Sequence, residues 1–533
     1  MAVMPLPHGL SRAFARRNAT LSALALSSAA ALAAAGCSSV STVPAPASSP
    51  AGQAAQARTA GLRWHPCSLS GVGMKCASLA VPLNYSDPSG RKITLALSML
   101  PATAPPAKQQ GDLLVNPGGP GGSGRYLAAV VAYGMNHQVA SEYNIIGFDP
   151  RGVGSSIPAL HCDPSFFAGV RPDYIPANAH AEQVLLGRAK AYAAGCERRY
   201  GWLLPFMTTA DAARDMDSIR AALGAQKISY FGISWGTYLG QVYATLFPHR
   251  LRRMALDSVV NPRGVWYADN IGQDYAFEGR IRAFFSWIAA HDAVYHLGST
   301  PAQVQQAWNR ARAMLEAHPI AGPAGPMIGP DEFDDTFAEG GYTDAVWPAL
   351  ATALDAYLRL HDSGPMAYVY SALRSQTANE NLAAVYNAVQ CSDVNWPRNW
   401  AKWDADTRRV YRTAPFEAWD NAWFNAACAF WPVRGPAQPL QIRGAGLPGI
   451  LMIQGTLDAA PPYAGALVAR RLLPTARMVV VLRGGNHGQS LAQPPNTCVD
   501  GYLNRYLATG ALPSGPGLVN AVCPATPPPA AAA

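Results

Sequence analysis

One segment, residues 227–246, restricts the possible folds more than any other part of the chain. Residues 227–233 read KISYFGI, and their β-branched and aromatic side chains are typical of a buried strand. A single serine follows, with a glycine two positions before it and another two positions after it. Apolar residues then recur at helical spacing, at Leu239, Val242, Tyr243 and Leu246. The chain must therefore pass from a strand into a helix within one very tight turn.

The turn reads GISWG, with Ser234 at its centre, and fits a nucleophile elbow, in which the serine hydroxyl stands exposed at the end of a sheet. The alternative is a turn serine that matches by chance, since the chain contains 48 glycines. Residues 208–224 predict a helix that Thr208 or Thr209 caps and that Gly224 ends. A helix, a strand, a turn and a second helix in succession favour the elbow and a parallel sheet.

Other segments define the fold class. Apolar, strand-like segments lie at 112–116, 143–149, 253–260, 449–455 and 476–484. Tryptophan-rich helical segments interrupt the alternation of strands and helices before the last two of these. We therefore predict an α/β-hydrolase fold, with a mostly parallel, doubly wound sheet and a large helical cap inserted before the last strands. The predicted domains are a first part of the core at 61–261, a cap at 262–446, a second part of the core at 447–523 and a disordered tail at 524–533.

The N-terminus has the features of an export signal. Three arginines precede an apolar stretch at 21–35, which is too short and too rich in alanine for a good membrane span. We predict a signal peptide at 1–36, lipid attachment at Cys37 after a run of small residues, and a flexible tether at 37–60. The predicted product is exported and anchored to the membrane through Cys37. The alternative is ordinary signal cleavage nearby, which would release a secreted protein.

The cysteine count agrees with export. The chain has nine cysteines, and eight remain if Cys37 carries lipid, an even number for an oxidising compartment. Many pairings are possible, and pairing between neighbours is the simplest. It gives the bridges Cys67–Cys76, Cys162–Cys196, Cys391–Cys428 and Cys498–Cys523.

Several classes of partner are disfavoured. The net charge is +8, but no run of basic residues is present, which argues against nucleic acid. No Cys or His spacing typical of a zinc site occurs, and no glycine motif for nucleotide phosphates is matched. We predict no metal and no cofactor.

A serine nucleophile needs a base, and the base needs an orienting acid, in the chain order serine, acid, histidine. Of eleven histidines only His487 lies beyond His361, and it follows the last strand in a glycine-rich loop. Asp458 follows the strand before, so we predict that Ser234, Asp458 and His487 form the triad. The alternative acid is Asp257, which lies within the apolar segment after the elbow helix.

The oxyanion of the tetrahedral intermediate needs preorganised N–H donors. One predicted donor is the backbone amide of Trp235, directly after the nucleophile. The other is Gly118 or Gly119 in the segment VNPGGPGGSG at 115–124, where the sequence does not separate the two. The alternative for this loop is a nest that binds some other anion.

Several motifs occur along nearly the whole chain in the same order as in a known protein family. They are NPGGPGGSG, GFDPRGVGSS, YFGISWGTYLGQVYATLFPHRLRRMALDSVVNP, CSDVNWPRNW, CAFWPV and GTLDAAPPY. Together they resemble the secreted bacterial tripeptidyl aminopeptidases, which are capped α/β-hydrolase serine peptidases related to proline iminopeptidases. The resemblance implies release of tripeptides from the free N-termini of peptides or proteins. It also places the nucleophile, acid and base on Ser234, Asp458 and His487.

An exopeptidase must recognise the ammonium group of a free N-terminus, which calls for a carboxylate in the cap. We predict Asp393, two residues after Cys391, or Glu278 for this role. The alternative for both is an ordinary solvated acid or a structural ion pair. Alternative functions are a carboxylesterase or endopeptidase with the same triad, and a catalytically silent binding lipoprotein with this fold.

Overall fold

A computed structural model describes residues 61–321, 327–377 and 379–532 of the 533-residue chain. The predicted signal peptide, the tether and the lipidation site Cys37 lie outside the described residues. None of the helices in the described ranges is both long and apolar enough to span a bilayer.

The described residues form one sheet of ten strands at the centre of the fold, in the order β1-β2-β3-β5-β4-β6-β7-β10-β11-β12. Strands β1, β2, β3 and β5 pair antiparallel, and the pairs from β5 through β12 are parallel. The strands are β1 (His65–Leu69), β2 (Val72–Pro82), β3 (Lys92–Leu100), β4 (Gly111–Asn116), β5 (Tyr143–Asp149), β6 (Ile228–Ile233), β7 (Leu251–Asp257), β10 (Ile450–Gly455), β11 (Ala476–Leu482) and β12 (Ala521–Pro524). A separate two-stranded sheet contains β8 (Ile320–Ala321) and β9 (Met327–Ile328).

Strands β6 and β10 are buried along their whole length because helices cover both faces of the sheet. Every residue of β6 and of β10 is buried, as expected for parallel strands between two helical layers. The helices that pack on the sheet are α1 (Leu127–Gly134), α2 (His137–Ser141), α4 (Thr209–Ala222), α5 (Trp235–Leu246), α15 (Tyr463–Leu472) and α16 (Thr497–Thr509). Helix α3 (Ala179–Tyr200) packs mainly against the segment at 426–430. Thr208 caps α4 by accepting a hydrogen bond from the Asp211 amide, and this settles the choice between Thr208 and Thr209.

Helices between β7 and β10 form the cap. They are α6 (Tyr267–Ala290), α7 (Asp292–Tyr295), α8 (Pro301–Ala317), α9 (Pro330–Tyr342), α10 (Trp347–Arg359), α11 (Gly364–Thr377), α12 (Glu380–Asp393), α13 (Trp400–Tyr411) and α14 (Pro415–Asn425). The cap has its own aromatic core, in which Phe284, Trp308 and Phe337 pack against Trp347 and Leu350. Because this core is separate from those of the sheet, the cap helices can hold side chains rigidly over the sheet edge.

The four predicted disulfides are confirmed. The bonded pairs are Cys67–Cys76, Cys162–Cys196, Cys391–Cys428 and Cys498–Cys523. Each closes a short loop and contributes about 2–4 kcal/mol of stability in the usual case. The bridge from Cys391 joins α12 of the cap to the segment after α14.

The C-terminal tail, which the sequence predicts to be disordered, instead contacts the cap. The indole N–H of Trp287 donates to the Pro529 carbonyl at 3.0 Å, and the Ala532 amide donates to the Tyr295 hydroxyl at 2.9 Å. Proline and alanine have little side-chain entropy to lose, so two hydrogen bonds and apolar contacts can hold such a segment.

Candidate active site

Ser234 lies between β6 and α5 in a strained turn. Its φ is 59° and its ψ is −131°, a conformation that non-glycine residues rarely adopt. The flanking glycines are required by close backbone approach. A Cβ at Gly232 would stand 2.5 Å from the Gly236 carbonyl oxygen, and one at Gly236 would stand 2.6 Å from that of Asn116. The predicted strand, tight turn and helix are therefore present, and the Ser234 side chain makes no capping hydrogen bond to α5.

Asp458 and His487 come together in the loops that follow β10 and β11. His487 Nδ1 lies 3.2 Å from Asp458 Oδ1 and 3.4 Å from Oδ2, and both residues are buried. His487 Nε2 is buried and has no hydrogen-bond partner among the described residues. The next residue, Gly488, faces Ile233, because a Cβ added there would lie 3.7 Å from the Ile233 side chain. The imidazole thus has one nitrogen on the acid and the other without a hydrogen bond among the described residues, and the residue that follows it lies against the last residue before Ser234.

Ser258 supports this pair and was missed by the sequence analysis. Its hydroxyl donates to Asp458 Oδ2 at 2.6 Å and accepts from the Gly488 amide at 2.8 Å. The Ala460 amide donates to Asp458 Oδ1 at 3.0 Å. These donors fix the orientation of the carboxylate toward His487. The only sequence signal was position, since Ser258 directly follows a strand that ends at the same edge of the sheet.

Asp257, the alternative acid, has a different set of partners. Its carboxylate accepts hydrogen bonds from the Gln489 amide at 3.0 Å, the Ser490 amide at 2.7 Å and the Ser490 hydroxyl at 2.5 Å. Burial raises the pKa of Asp257 to about 6. Asp257 therefore anchors the segment after His487, while the imidazole itself is hydrogen-bonded to Asp458.

The structure distinguishes the two glycines considered for the oxyanion hole. Gly118 donates its amide to Asn116 Oδ1 at 2.9 Å and lies so close to the elbow that a Cβ would meet Ser234. Gly119 lines the cavity beside Ser234 and Trp235. The Trp235 amide lies in the first turn of α5, where backbone N–H groups have no partner within the helix. The Gly118 amide is therefore already used, which leaves Gly119 and Trp235 as the candidate donors.

A cavity leads from Ser234 into the cap. Its apolar walls come from both the cap helices and the loop after Asp458, namely Phe277, Leu382, Tyr386, Phe424 and Ala460. The side chains of Gln273, Gln390 and Asn421 also line it. The cavity therefore combines rings and aliphatic groups with amides that can pair with a peptide backbone.

Five carboxylates line the same cavity. Asp269 of α6 accepts a hydrogen bond from Asn261 at 3.0 Å. The other four are called the acidic wall here: Asp335 and Glu339 from α9, and Glu417 and Asp420 from α14. Burial raises the pKa of Glu339 to about 7 and holds the pKa values of Glu417 and Asp420 well above their usual range. Arg171 forms an ion pair with Asp335 at 2.6 Å. Among the described residues, no basic side chain forms an ion pair with the other three carboxylates. The acidic wall is therefore a buried site in which carboxyl groups outnumber the basic side chains that pair with them.

Neither acid that the sequence suggested for the amine lies in this cavity. Asp393 accepts hydrogen bonds from the Thr209 amide and hydroxyl, both at 2.6 Å, and from the Trp266 indole at 3.2 Å. Glu278 pairs with Arg282 at 2.6 Å. Both carboxylates hold cap or core elements together, and this corrects the expectation for Asp393 and Glu278. The acidic wall could have been suspected from Glu417 and Asp420, which share a helix face among aromatic residues.

The comparisons with known proteins agree with this geometry. Residues 113–491 match the family described as alpha/beta hydrolase fold. The chain belongs to this family. A tripeptidyl aminopeptidase of Streptomyces coelicolor is 41% identical over 470 residues, which cover 86% of this chain and 85% of that protein. The predicted fold class and the family resemblance are both confirmed.

Two further relatives have other names. A serine protease of Mycobacterium tuberculosis is 30% identical over 485 residues, covering 85% of this chain and 89% of that protein. A carboxylesterase B of the same species is 31% identical over 460 residues, covering 82% and 85%. The relatives of this chain thus include peptidases and an esterase.

Proposed function

We propose that this chain is an exported serine exopeptidase that releases short peptides, chiefly tripeptides, from free N-termini. The observation that carries the proposal is the acidic wall, which lines the same cavity as Ser234. A free N-terminus brings an ammonium group that an internal peptide bond lacks. Three carboxylates of the acidic wall have no basic partner among the described residues, and together they are a complementary site for the ammonium group.

The triad supports acyl transfer. Ser234 Oγ attacks the scissile carbonyl carbon while His487 Nε2 accepts its proton, and Asp458 stabilises the imidazolium that forms. The amides of Trp235 and Gly119 donate to the oxyanion. The C–N bond then breaks, and His487 gives the proton to the leaving amine. The N-terminal peptide remains bound to Ser234 as an ester. Water, activated by the same imidazole, hydrolyses that ester and frees the peptide and the serine.

The acidic wall makes an energetic distinction between substrates. In the empty cavity, burial favours the protonated carboxyl groups. An entering ammonium group favours the carboxylates, and burial of these groups strengthens the attraction. An acetylated N-terminus carries no charge and gains nothing from these groups. The enzyme is therefore expected to prefer the free amine through binding and orientation.

The deciding experiment compares tripeptide arylamides with free and acetylated N-termini. Wild type should cleave the free substrate far better, and Glu339→Gln, Glu417→Gln and Asp420→Asn should reduce that preference. The matched control is Asp355→Asn, a cap carboxylate that pairs with Arg359 away from the cavity. Equal cleavage of free and acetylated substrates by wild type would remove the exopeptidase assignment.

A carboxylesterase is the second candidate, because apolar rings form much of the cavity wall. An acyl chain would contact Phe277, Leu382 and Phe424 but would leave the acidic wall without a partner. Turnover of p-nitrophenyl esters with lengthening acyl chains tests this. Higher kcat/KM on long esters than on free tripeptide arylamides would favour the esterase.

Export and lipid attachment at Cys37 are part of the proposal. Four disulfides in one chain are typical of proteins that fold in an oxidising compartment. Peptide and protein N-termini outside the cytoplasm are then the proposed substrates, and the membrane is the proposed site of attachment.

A further inference from the structure

The cap contacts the loop that carries His487 at the C-terminal end of α9. The His487 amide donates to the Tyr342 carbonyl at 2.7 Å, and the Asp344 amide donates to Asn486 Oδ1 at 2.9 Å. The ring of Tyr342 also meets the His487 imidazole edge to face, with centroids 5.5 Å apart. Two consecutive residues of the loop are therefore hydrogen-bonded to cap backbone.

Arg280 of α6 completes this contact. It is only 5% exposed, its Nε donates to the Gly341 carbonyl at 3.2 Å, and its guanidinium lies over the Trp347 ring at 5.0 Å. Its Nη2 has no hydrogen-bond partner among the described residues. A Cβ at Gly485 would overlap Arg280 Nη1, so the arginine packs directly on the loop. The carboxylates that act on its charge are Asp344 and Asp458.

We propose that these contacts position the catalytic histidine, so that the cap acts in the chemical step as well as in substrate recognition. The group Arg280, Gly341, Tyr342, Asp344 and Asn486 is called the histidine clamp here. The proposal rests on the proposed function only in taking His487 as the base. Arg280 and Asn486 are positioning residues, since they act through His487 and touch no reacting atom.

The physical reason is that the loop is held from two directions. On the core side, Asp257 binds the amides of Gln489 and Ser490, which follow His487. On the cap side, the Tyr342 carbonyl accepts from the His487 amide, and the Asp344 amide donates to Asn486. If only the core side remained, the imidazole could move relative to Ser234. A displacement of about 1 Å at a catalytic group can cost about 100-fold in rate.

The alternative is that these contacts merely attach the cap to the core. A small ester separates the two cases. The acetyl group of p-nitrophenyl acetate has two carbons and needs no contact with the acidic wall, so its turnover reports the triad alone. A cap that only binds substrate would leave this turnover unchanged when the histidine clamp is altered.

The experiment uses Asn486→Ala and Arg280→Met in the full-length protein. We expect kcat for p-nitrophenyl acetate to fall about 10-fold to 100-fold in each variant, with KM changed less than about two-fold. The matched control is Arg282→Met on the same helix, whose side chain is 65% exposed and pairs with Glu278. It should keep the wild-type kcat. Melting temperatures measured in parallel show whether each variant is folded.

Two outcomes overturn the proposal. The first is wild-type kcat on p-nitrophenyl acetate in folded Asn486→Ala and Arg280→Met. The second is an equal loss in Arg282→Met. If Arg280→Met does not fold, Asn486→Ala decides alone, because Asn486 is only partly buried. The proposed function fails separately, namely if His487→Ala retains activity. An inactive His487→Ala beside normal clamp variants would refute the histidine clamp alone.

Discussion

The Ser258 hydroxyl donates a 2.6 Å hydrogen bond to Asp458 and accepts one from the Gly488 amide at 2.8 Å, so one side chain joins the loops of the acid and the base. Loss of this hydroxyl leaves the carboxylate with one donor fewer and frees the loop at Gly488. We expect Ser258→Ala to lower kcat on esters and peptides about 10-fold or more. The control is Ser229→Ala, a buried serine of β6 whose hydroxyl has no partner among the described residues. Equal kcat in the two variants would contradict the role of Ser258.

Ser234→Ala should remove hydrolysis of esters and peptides together. Loss of a triad member typically costs about 10⁴-fold to 10⁶-fold in kcat. The alanine lacks the nucleophilic oxygen but keeps the turn, although a non-glycine residue at a φ of 59° remains strained. Steady-state turnover and labelling by a fluorophosphonate measure the effect. Labelling of Ser234→Ala at the wild-type rate would show that another serine reacts.

Binding of the free amine should depend on pH through the acidic wall. Burial raises the pKa of Glu339 to about 7, so this group is increasingly protonated as the pH falls below 7. A protonated carboxyl cannot pair with an ammonium group. We expect KM for a free-amine tripeptide arylamide to rise below pH 7, with little change in KM for p-nitrophenyl acetate. A KM that stays constant from pH 8 to pH 5 would refute this account.

The same carboxyl should reduce stability at high pH. Its folded pKa of about 7 lies above the ordinary value of 4.5, so the folded state binds the proton more tightly than the unfolded state. Stability from this group is then complete below about pH 4.5 and is lost as the pH rises through 7, by at most about 3 kcal/mol. Glu339→Gln should therefore raise the melting temperature more at pH 8 than at pH 5. An equal shift at both pH values would contradict the assignment.

Cys37→Ser should release the protein from membranes. The lipid would attach to that thiol, and the four disulfides use the other eight cysteines. Fractionation of cells followed by an activity assay measures the change, with intact activity expected in the medium or in the washed extract. An unchanged membrane fraction would mean that Cys37 is not the anchor.

The sequence allowed prediction of those parts of the site that local geometry determines. The elbow at Ser234 has its own glycine pattern, and Asp458 and His487 each follow a strand that ends at the same edge of the sheet. The disulfides joined neighbours along the chain because each closes a short excursion. In all these cases a few adjacent residues carry the physical constraint.

The acidic wall could not be predicted in the same way. Glu339 and Glu417 lie on different helices, and only the packing of α9 against α14 brings them to one cavity. Asp393 has the expected neighbours in sequence, but its side chain turns to Thr209 because α4 begins there and offers an amide and a hydroxyl. Likewise, Gly118 differs from Gly119 because its amide donates to the Asn116 side chain, and the fold sets the orientation of that side chain.

Helix α9 carries Glu339 at the substrate end and Tyr342 at the catalytic end, three residues apart. Three residues of an α-helix span about 4.5 Å, and a helix resists both stretching and twisting. The Glu339 carboxylate, which would hold the chain end, and the Tyr342 carbonyl, which holds the histidine loop, are thus kept at a fixed distance by one helix. A different length of released peptide would then require a change in the helix or in its position, and exchange of a single side chain would not be enough.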